Sequence, residues 1–150
     1  MIADVRKLDR IEDNSVEEIM AIHLFEHFVY WEVTDILADW HKKLIPDGKL
    51  IIECPNILYA AHKLLEWASS NDSEGEPLIA RPNSIPNPQH TMWVFYGDPS
   101  SKNPWNCHHW GYWPGHVMDL MKAVGFKDAY DEPAQFKLGP PRDFRVVGVK

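Results

Sequence analysis

The feature that most constrains this chain is a strand, a helix and a second strand that follow one another in its first third. Glu18-Ile-Met-Ala-Ile-His-Leu-Phe25 is a short apolar run with polar flanks. Its length and pattern are those of a strand buried in a parallel sheet. From about Trp31 to Leu44, the residues Val33, Ile36, Leu37, Trp40 and Leu44 recur at three- and four-residue spacing, which makes one apolar stripe on a helix. Lys42 and Lys43 fall in its last turn, where cations complement the helix dipole, and Pro46-Asp47-Gly48 is expected to stop it. Lys49-Leu-Ile-Ile-Glu-Cys54 then reads as a second strand, closed by Pro55-Asn56. Elements in this order bury their apolar faces together as a right-handed parallel crossover, so the fold class is α/β.

The flanking segments are read the same way. Ile2–Val5 is expected to be the end of a strand, and Asp13-Asn14-Ser15 to break the chain before the first long strand. Leu58–Ala68 suits a helix, and so does Pro114–Val124, with Pro114 in the first turn and Gly125 as the C-cap. Phe126–Phe136 and Phe144–Val149 suit a closing pair of antiparallel strands. Between about 69 and 106 the character changes to proline, asparagine and serine, interrupted by Thr91–Tyr96 as a short strand; a segment this long reads as a lid, a binding loop or disorder. Four of the seven tryptophans (Trp93, Trp105, Trp110, Trp113) lie in or just after it.

Composition excludes several classes. The 150 residues suit one domain with a core of its own. A formal charge of −7, from 22 acidic and 15 basic side chains, disfavours a non-specific nucleic-acid binder. There is no apolar run long enough to span a membrane, and the first residues lack the apolar core of a signal peptide. Two cysteines, Cys54 and Cys107, form no disulfide framework. A cytoplasmic location is the expectation.

Two clusters carry chemistry. His23-Leu-Phe-Glu26-His27 matches the H-x-x-E-H pattern of inverted zinc proteases, in which two histidines on a helix bind zinc and the glutamate is the base. A zinc hydrolase is therefore one alternative, although here the motif follows a strand; the plain alternative is a cap on the next element. The second cluster is Trp105-Asn-Cys107-His108-His109-Trp110-Gly-Tyr112-Trp113. It reads as the aromatic rim of a small-molecule pocket with histidines as acid–base groups, as a metal site, or as a loop packed on the core.

Taken in order, these motifs resemble a class I S-adenosylmethionine-dependent methyltransferase of the small "type 11" group. The resemblance rests on Asp4 after a short strand, Asp13–Ile19, His23–His27, Leu44–Gly48, Leu50–Asn56, Gly111-Tyr112, and Ala123-Val-Gly125-Phe126. It implies a three-layer Rossmann-like sheet, mostly parallel with a C-terminal antiparallel hairpin and a family strand order of 3-2-1-4-5-7-6. It implies S-adenosylmethionine as cofactor, with Asp4 and Val5 at the adenine and Ala21, Ile22 and His23 along the methionine. Glu26, His27, Trp110 and Tyr112 fall on the acceptor side, with His23, His108 and His109 as candidate bases. In the quinone-pathway relatives an acidic residue three positions before the glutamate joins the Glu-His pair on a divalent metal. His23 stands at that position here, so no metal is assigned.

The sequence departs from the family at its start. The family opens with a strand and a G-x-G loop that lets backbone approach the cofactor, whereas the eight glycines of this chain begin at Gly48. The resemblance therefore implies an N-terminally shortened, partial domain over 1–150 with weak or absent cofactor binding. The 18–25 strand would be an exposed edge that a second copy or a completing chain could cover. The expected reaction is methyl transfer to a small-molecule or glycan-type acceptor. The alternative from another class is a non-catalytic binding or scaffold module.

Overall fold

A computed structural model describes residues 4–69, 88–137 and 139–150. The elements in chain order are β1 (Val16–Ile22), α1 (Val33–Lys43), β2 (Leu44–Pro55), α2 (Ile57–Ser69), α3 (Pro88–Tyr96), α4 (Pro114–Ala123), β3 (Asp128–Glu132) and β4 (Asp143–Val149). Short 3-10 turns lie at Phe25–His27, Tyr30–Glu32, Pro99–Ser101 and Pro104–Asn106.

The crossover forms as its pattern requires. β1 and β2 pair in parallel, with Ala21 opposite Ile52 and Ile22 opposite Glu53, and α1 joins them. β4 lies antiparallel to β2, and β3 antiparallel to β4, so the sheet order is β1-β2-β4-β3. In the family's numbering this is the 4-5-7-6 part of the expected order, with the C-terminal hairpin in place. Among the strands of the described residues parallel pairing is confined to β1 and β2, and one isolated parallel bridge joins Asn56 to Tyr112.

Alternation along the strands decides what packs where. Leu50, Ile52 and Cys54 of β2 and Phe144 and Val146 of β4 face one way, against Ile36, Leu37 and Trp40 of α1 and Val117 and Met121 of α4. Gly148 continues that face of β4, where a Cβ would come within 2.7 Å of the Met121 sulfur; α4 sits close because there is no side chain to hold it off. The opposite face carries Ile51, Glu53, Arg145 and Val147. Glu53 is buried there, accepting from the backbone N–H groups of Gln135 and Phe136 at 2.9 and 2.7 Å, with the Arg145 guanidinium at 3.4 Å. The charge is thus paired and hydrogen-bonded, as burial demands.

Several expectations change. Thr91–Tyr96 lies in a helix, not a strand. Its β-branched and aromatic residues favour strands, but Thr91 and Val94 recur at helical spacing as the buried side of α3. Val94 packs against Ala60 of α2, and that contact overrides propensity. The described part of the 69–106 segment, from 88 on, is therefore helix and 3-10 turns; 70–87 lie outside the described residues. The first long strand is Val16–Ile22 and ends before His23, whose φ of 49° breaks the extended backbone. Pro46-Asp47-Gly48 does not terminate α1, which ends at Lys43; it forms a bulge inside β2, where the register slips between Val16 and Glu18. Asp47 has a φ of 65° there. Part of the expected Ile2–Val5 strand lies outside the described residues, and Asp4 and Val5 belong to no strand. Val5 is instead tied down by its carbonyl, which accepts from Trp40 Nε1 at 2.8 Å.

Candidate functional site

The site forms at the carboxyl ends of β1 and β2, the end of a parallel pair where ligands bind in open α/β sheets. The backbone N–H of His23 donates to the Glu53 carbonyl at 2.7 Å, so the chain leaving β1 is still held to β2. It then turns sharply into the Phe25–His27 turn. Phe25 is buried against Tyr112 at 4.7 Å between ring centres, and this anchor orients Glu26 and His27.

The 107–110 loop docks on that turn through backbone. His109 N–H donates to the Glu26 carbonyl at 2.8 Å, and His108 N–H donates to the Tyr96 carbonyl at 3.2 Å. His27 Nδ1–H donates to the Cys107 carbonyl at 3.0 Å, and His108 Nδ1–H donates to the Val94 carbonyl at 2.9 Å. The two imidazoles meet edge to face at 5.0 Å. Because a carbonyl only accepts, each neutral ring carries its proton on Nδ1 and its lone pair on Nε2.

A cleft of about 680 Å³ opens beside this turn. It brings together five of the residues named from sequence: Asp4, Val5, His23, His27 and His109. Leu24, Phe28, Trp31 and Trp105 add apolar and aromatic wall. The Asp4 carboxylate is held by the Arg6 guanidinium at 2.7 Å, which pulls its pKa down to about 2.

Behind the cleft lies a charged chain that the sequence did not announce. His23 Nε2 is 3.2 Å from Asp143 Oδ2, and its Nδ1 is 3.3 Å from Glu26 Oε1. Burial works against a charge on His23, but the hydrogen bond to Asp143 and the Glu26 carboxylate outweigh it and raise its pKa. Burial likewise works against the Asp143 charge, and His23 and Arg142 reverse it, so the Asp143 pKa is lowered. Asp143 escaped the sequence reading because only the β2–β4 pairing brings residue 143 to residue 23. His108 has a pKa lowered by burial, which keeps its Nε2 lone pair free near neutrality.

Other named residues stand elsewhere. Tyr112 is 0% exposed, so it is core and not acceptor wall. Burial raises its phenol pKa. Ala21 is also core, and the cleft wall after β1 is made by His23 and Leu24 rather than by Ala21 or Ile22. Trp110 stacks on Tyr30 at 4.3 Å, outside the lining of the cleft. Glu26 is buried and touches the acceptor side only through its backbone carbonyl. The inverted-protease reading fails on geometry: the motif lies on a turn, and both ring nitrogens of His23 face carboxylates.

No family model and no curated protein matches the sequence. Solved structures do. A SAM-dependent methyltransferase from Archaeoglobus fulgidus is similar over 100% of this chain and 66% of its own, at 16% identity and a TM-score of 0.62. A SAM-dependent methyltransferase from Thermotoga maritima is similar over 100% of this chain and 63% of its own, at 13% identity and a TM-score of 0.58. The 1,6-didemethyltoxoflavin-N1-methyltransferase of Burkholderia thailandensis, solved with S-adenosylhomocysteine, is similar over 100% and 49%, at 12% identity and a TM-score of 0.56. The chain has the fold of class I SAM-dependent methyltransferases, and it spans between about half and two thirds of these three. No helix among the described residues is long and apolar enough to cross a membrane.

Proposed function

We propose that this chain is the acceptor-side portion of a SAM-dependent methyltransferase acting on a small-molecule or glycan-type acceptor. The observation that carries the reading is the cleft at the carboxyl ends of β1 and β2, where Asp4, Val5, His23, His27 and His109 converge in a methyltransferase fold. Its volume lies within the roughly 300–1,000 Å³ of small-molecule sites. Val5, Leu24, Phe28 and Trp31 fit the adenosyl end of the cofactor, and Asp4 offers a carboxylate acceptor there. The cofactor, when bound, supplies a methyl group on a sulfonium sulfur.

The chain's own part is positioning and proton handling. The turn at Phe25–His27 fixes one wall, the docked 107–110 loop fixes the other, and both exclude water from the acceptor. His109 is exposed in the cleft and offers an imidazole to take the acceptor proton. His23, locked between Asp143 and Glu26, holds the turn and is a positioning residue. His108, bonded to the Val94 carbonyl, supports the loop.

The cofactor site is completed from outside the described sheet. Among the described residues β1 is paired on one side only, and Met20 is 43% exposed on it. Strands added at that edge, by a second copy or by another chain segment, supply the ribose contacts. The free thiols of Cys54 and Cys107 accord with a cytoplasmic setting. Calorimetric titration of S-adenosylmethionine into the chain tests both parts. Weak binding that tightens on self-association or on addition of a completing chain is expected. Micromolar binding by a monomer refutes completion, and no binding in any assembly refutes the methyltransferase reading.

A further inference from the structure

A second cavity lies beside the cleft and is separate from it. It holds about 610 Å³, within the roughly 300–1,000 Å³ of small-molecule sites. The two spaces share a stretch of chain but no lining residue. Trp105 and Asn106 line the cleft, whereas Pro104 and Cys107 line the second cavity. One wall is a face of α3, where Met92, Trp93 and Tyr96 are neighbours at helical spacing. The buried side of the same helix carries Thr91 and Val94, and Val94 meets Ala60 of α2. Tyr96 is 66% exposed and Met92 39%, so two large side chains are held out of the core on the side that lines the cavity.

The facing wall is shaped by directed bonds. The Asp98 carboxylate accepts from the Ser100 N–H at 2.9 Å, and the Asn103 side chain accepts from the Trp105 N–H at 3.1 Å, which sets the two 3-10 turns. Gly97 makes the tight corner between α3 and this wall. Its φ is 83°, and a Cβ there would collide with the Asn106 carbonyl. The His108 N–H bond to the Tyr96 carbonyl ties the end of the loop back to α3. Backbone thus sets the shape of the cavity.

The chemistry of the walls selects the ligand. The indole, the phenol, the thioether and the rings of Pro99 and Pro104 offer apolar surfaces that suit an aromatic ring, stacked or edge-on. Two charged side chains join them. The Asp98 carboxylate is turned to the Ser100 N–H, whereas the Lys102 ammonium has no ion pair among the described residues. A cation on an apolar wall is complementary to an anionic group on the ligand. We propose that this cavity is a second small-molecule site, taking a flat aromatic carboxylate with its ring against Trp93 and Tyr96 and its charge toward Lys102. The site stands whether or not the chain transfers methyl groups. Cys107 joins it to the cleft, because its side chain lines the cavity and its carbonyl accepts from His27. An occupant therefore braces the loop that carries His108 and His109.

The test uses the whole chain with cinnamate as the probe, followed by calorimetry and by the rate at which N-ethylmaleimide modifies Cys107. Cys107 is exposed and Cys54 is buried, so the labelling reports on this cavity. Saturable one-to-one binding in the submillimolar range is expected, with Cys107 labelling slowed severalfold at saturation. Cinnamyl alcohol and cinnamylamine should bind more weakly than cinnamate. Tyr96→Ala should weaken cinnamate by about 5-fold, the worth of an aromatic pair. Lys102→Gln should weaken it by about 3-fold, as for an exposed ion pair, and leave the alcohol unchanged. Trp31→Ala, at an exposed residue of the cleft, should leave cinnamate binding as it is in the parent chain. Absence of saturable binding, full Cys107 reactivity at saturating cinnamate, a loss on Trp31→Ala as large as on Tyr96→Ala, or equal affinity for the three probes overturns the proposal. None of these readouts involves S-adenosylmethionine, so failure of this site and failure of the methyltransferase reading are separate results.

Discussion

The sheet with α1 and α4, and the α2–α3 arm with its 97–113 continuation, are held together by different forces. The first has a continuous buried core running from Ala21 and Phe25 through Trp40, Leu50 and Ile52 to Met121 and Val146. The second has a small buried cluster of Ala60 and Val94, with Ile57, Tyr59 and Phe95 half-buried around it. It meets the sheet through Tyr112, which is buried against Phe25, and through hydrogen bonds between the 107–110 loop and the Phe25–His27 turn, while further bonds tie that loop to α3. A large apolar core gives the sheet its stability, because burial scales with area. Directed bonds give the arm its position, because they fix geometry at little net gain. The candidate site sits on the seam, with its turn from the stable part and its histidine loop from the adjustable one.

That contrast can be broken by measurement. Trp40→Ala should have the largest effect, lowering stability by about 3–5 kcal/mol in denaturant unfolding, since it empties a core site and frees the Val5 carbonyl. A loss under about 1.5 kcal/mol would mean that the sheet core is not the main support. Asp143→Ala comes next, at about 3 kcal/mol, because it strands Arg142 and His23 at a buried position.

Asp143 also sets an acid limit. Its folded pKa lies below the unfolded value of about 3.9, so its contribution is full above that pH and is lost as pH falls through the folded value. Unfolding followed below about pH 4 should steepen in the parent chain and flatten in Asp143→Asn. Unchanged curves would remove Asp143 from the account.

Val94→Ala should cost only about 1–2 kcal/mol, from two methyl groups at about 0.8 each. Hydrogen exchange at the His108 amide should nonetheless speed up, while exchange in β2 stays slow. Global loosening instead would merge the two regions into one cooperative unit. His109→Ala should be smallest in stability, within about 0.5 kcal/mol, because the residue is exposed. A melting loss as large as that of Val94→Ala would make His109 structural and weaken its role as a base.

Much of the scaffold was legible in advance, for local reasons. The α1 stripe, Pro114 at the start of α4, Gly125 after its end and the closing hairpin are all written in spacings of a few residues. Where reading failed, a contact distant in sequence had outweighed a local preference. Thr91–Tyr96 became helix because Val94 meets Ala60, and Tyr112 turned inward because Phe25 lies beneath it. His23, Glu26 and His27 were visible as a motif, but the pairing of His23 with Asp143 was not.

The sequence by itself determined the parallel crossover, and with it the end of the sheet where a site forms. Helical and strand periods are properties of the local backbone, and a right-handed connection leaves few ways to assemble them. Only the tertiary structure decided which side chains meet there. The β2–β4 pairing carries Asp143 to His23, and the packing of α3 on α2 sets the carbonyl that turns His108 toward Glu26. Those neighbours are separated by 120 and 82 residues, and no local spacing encodes such a distance.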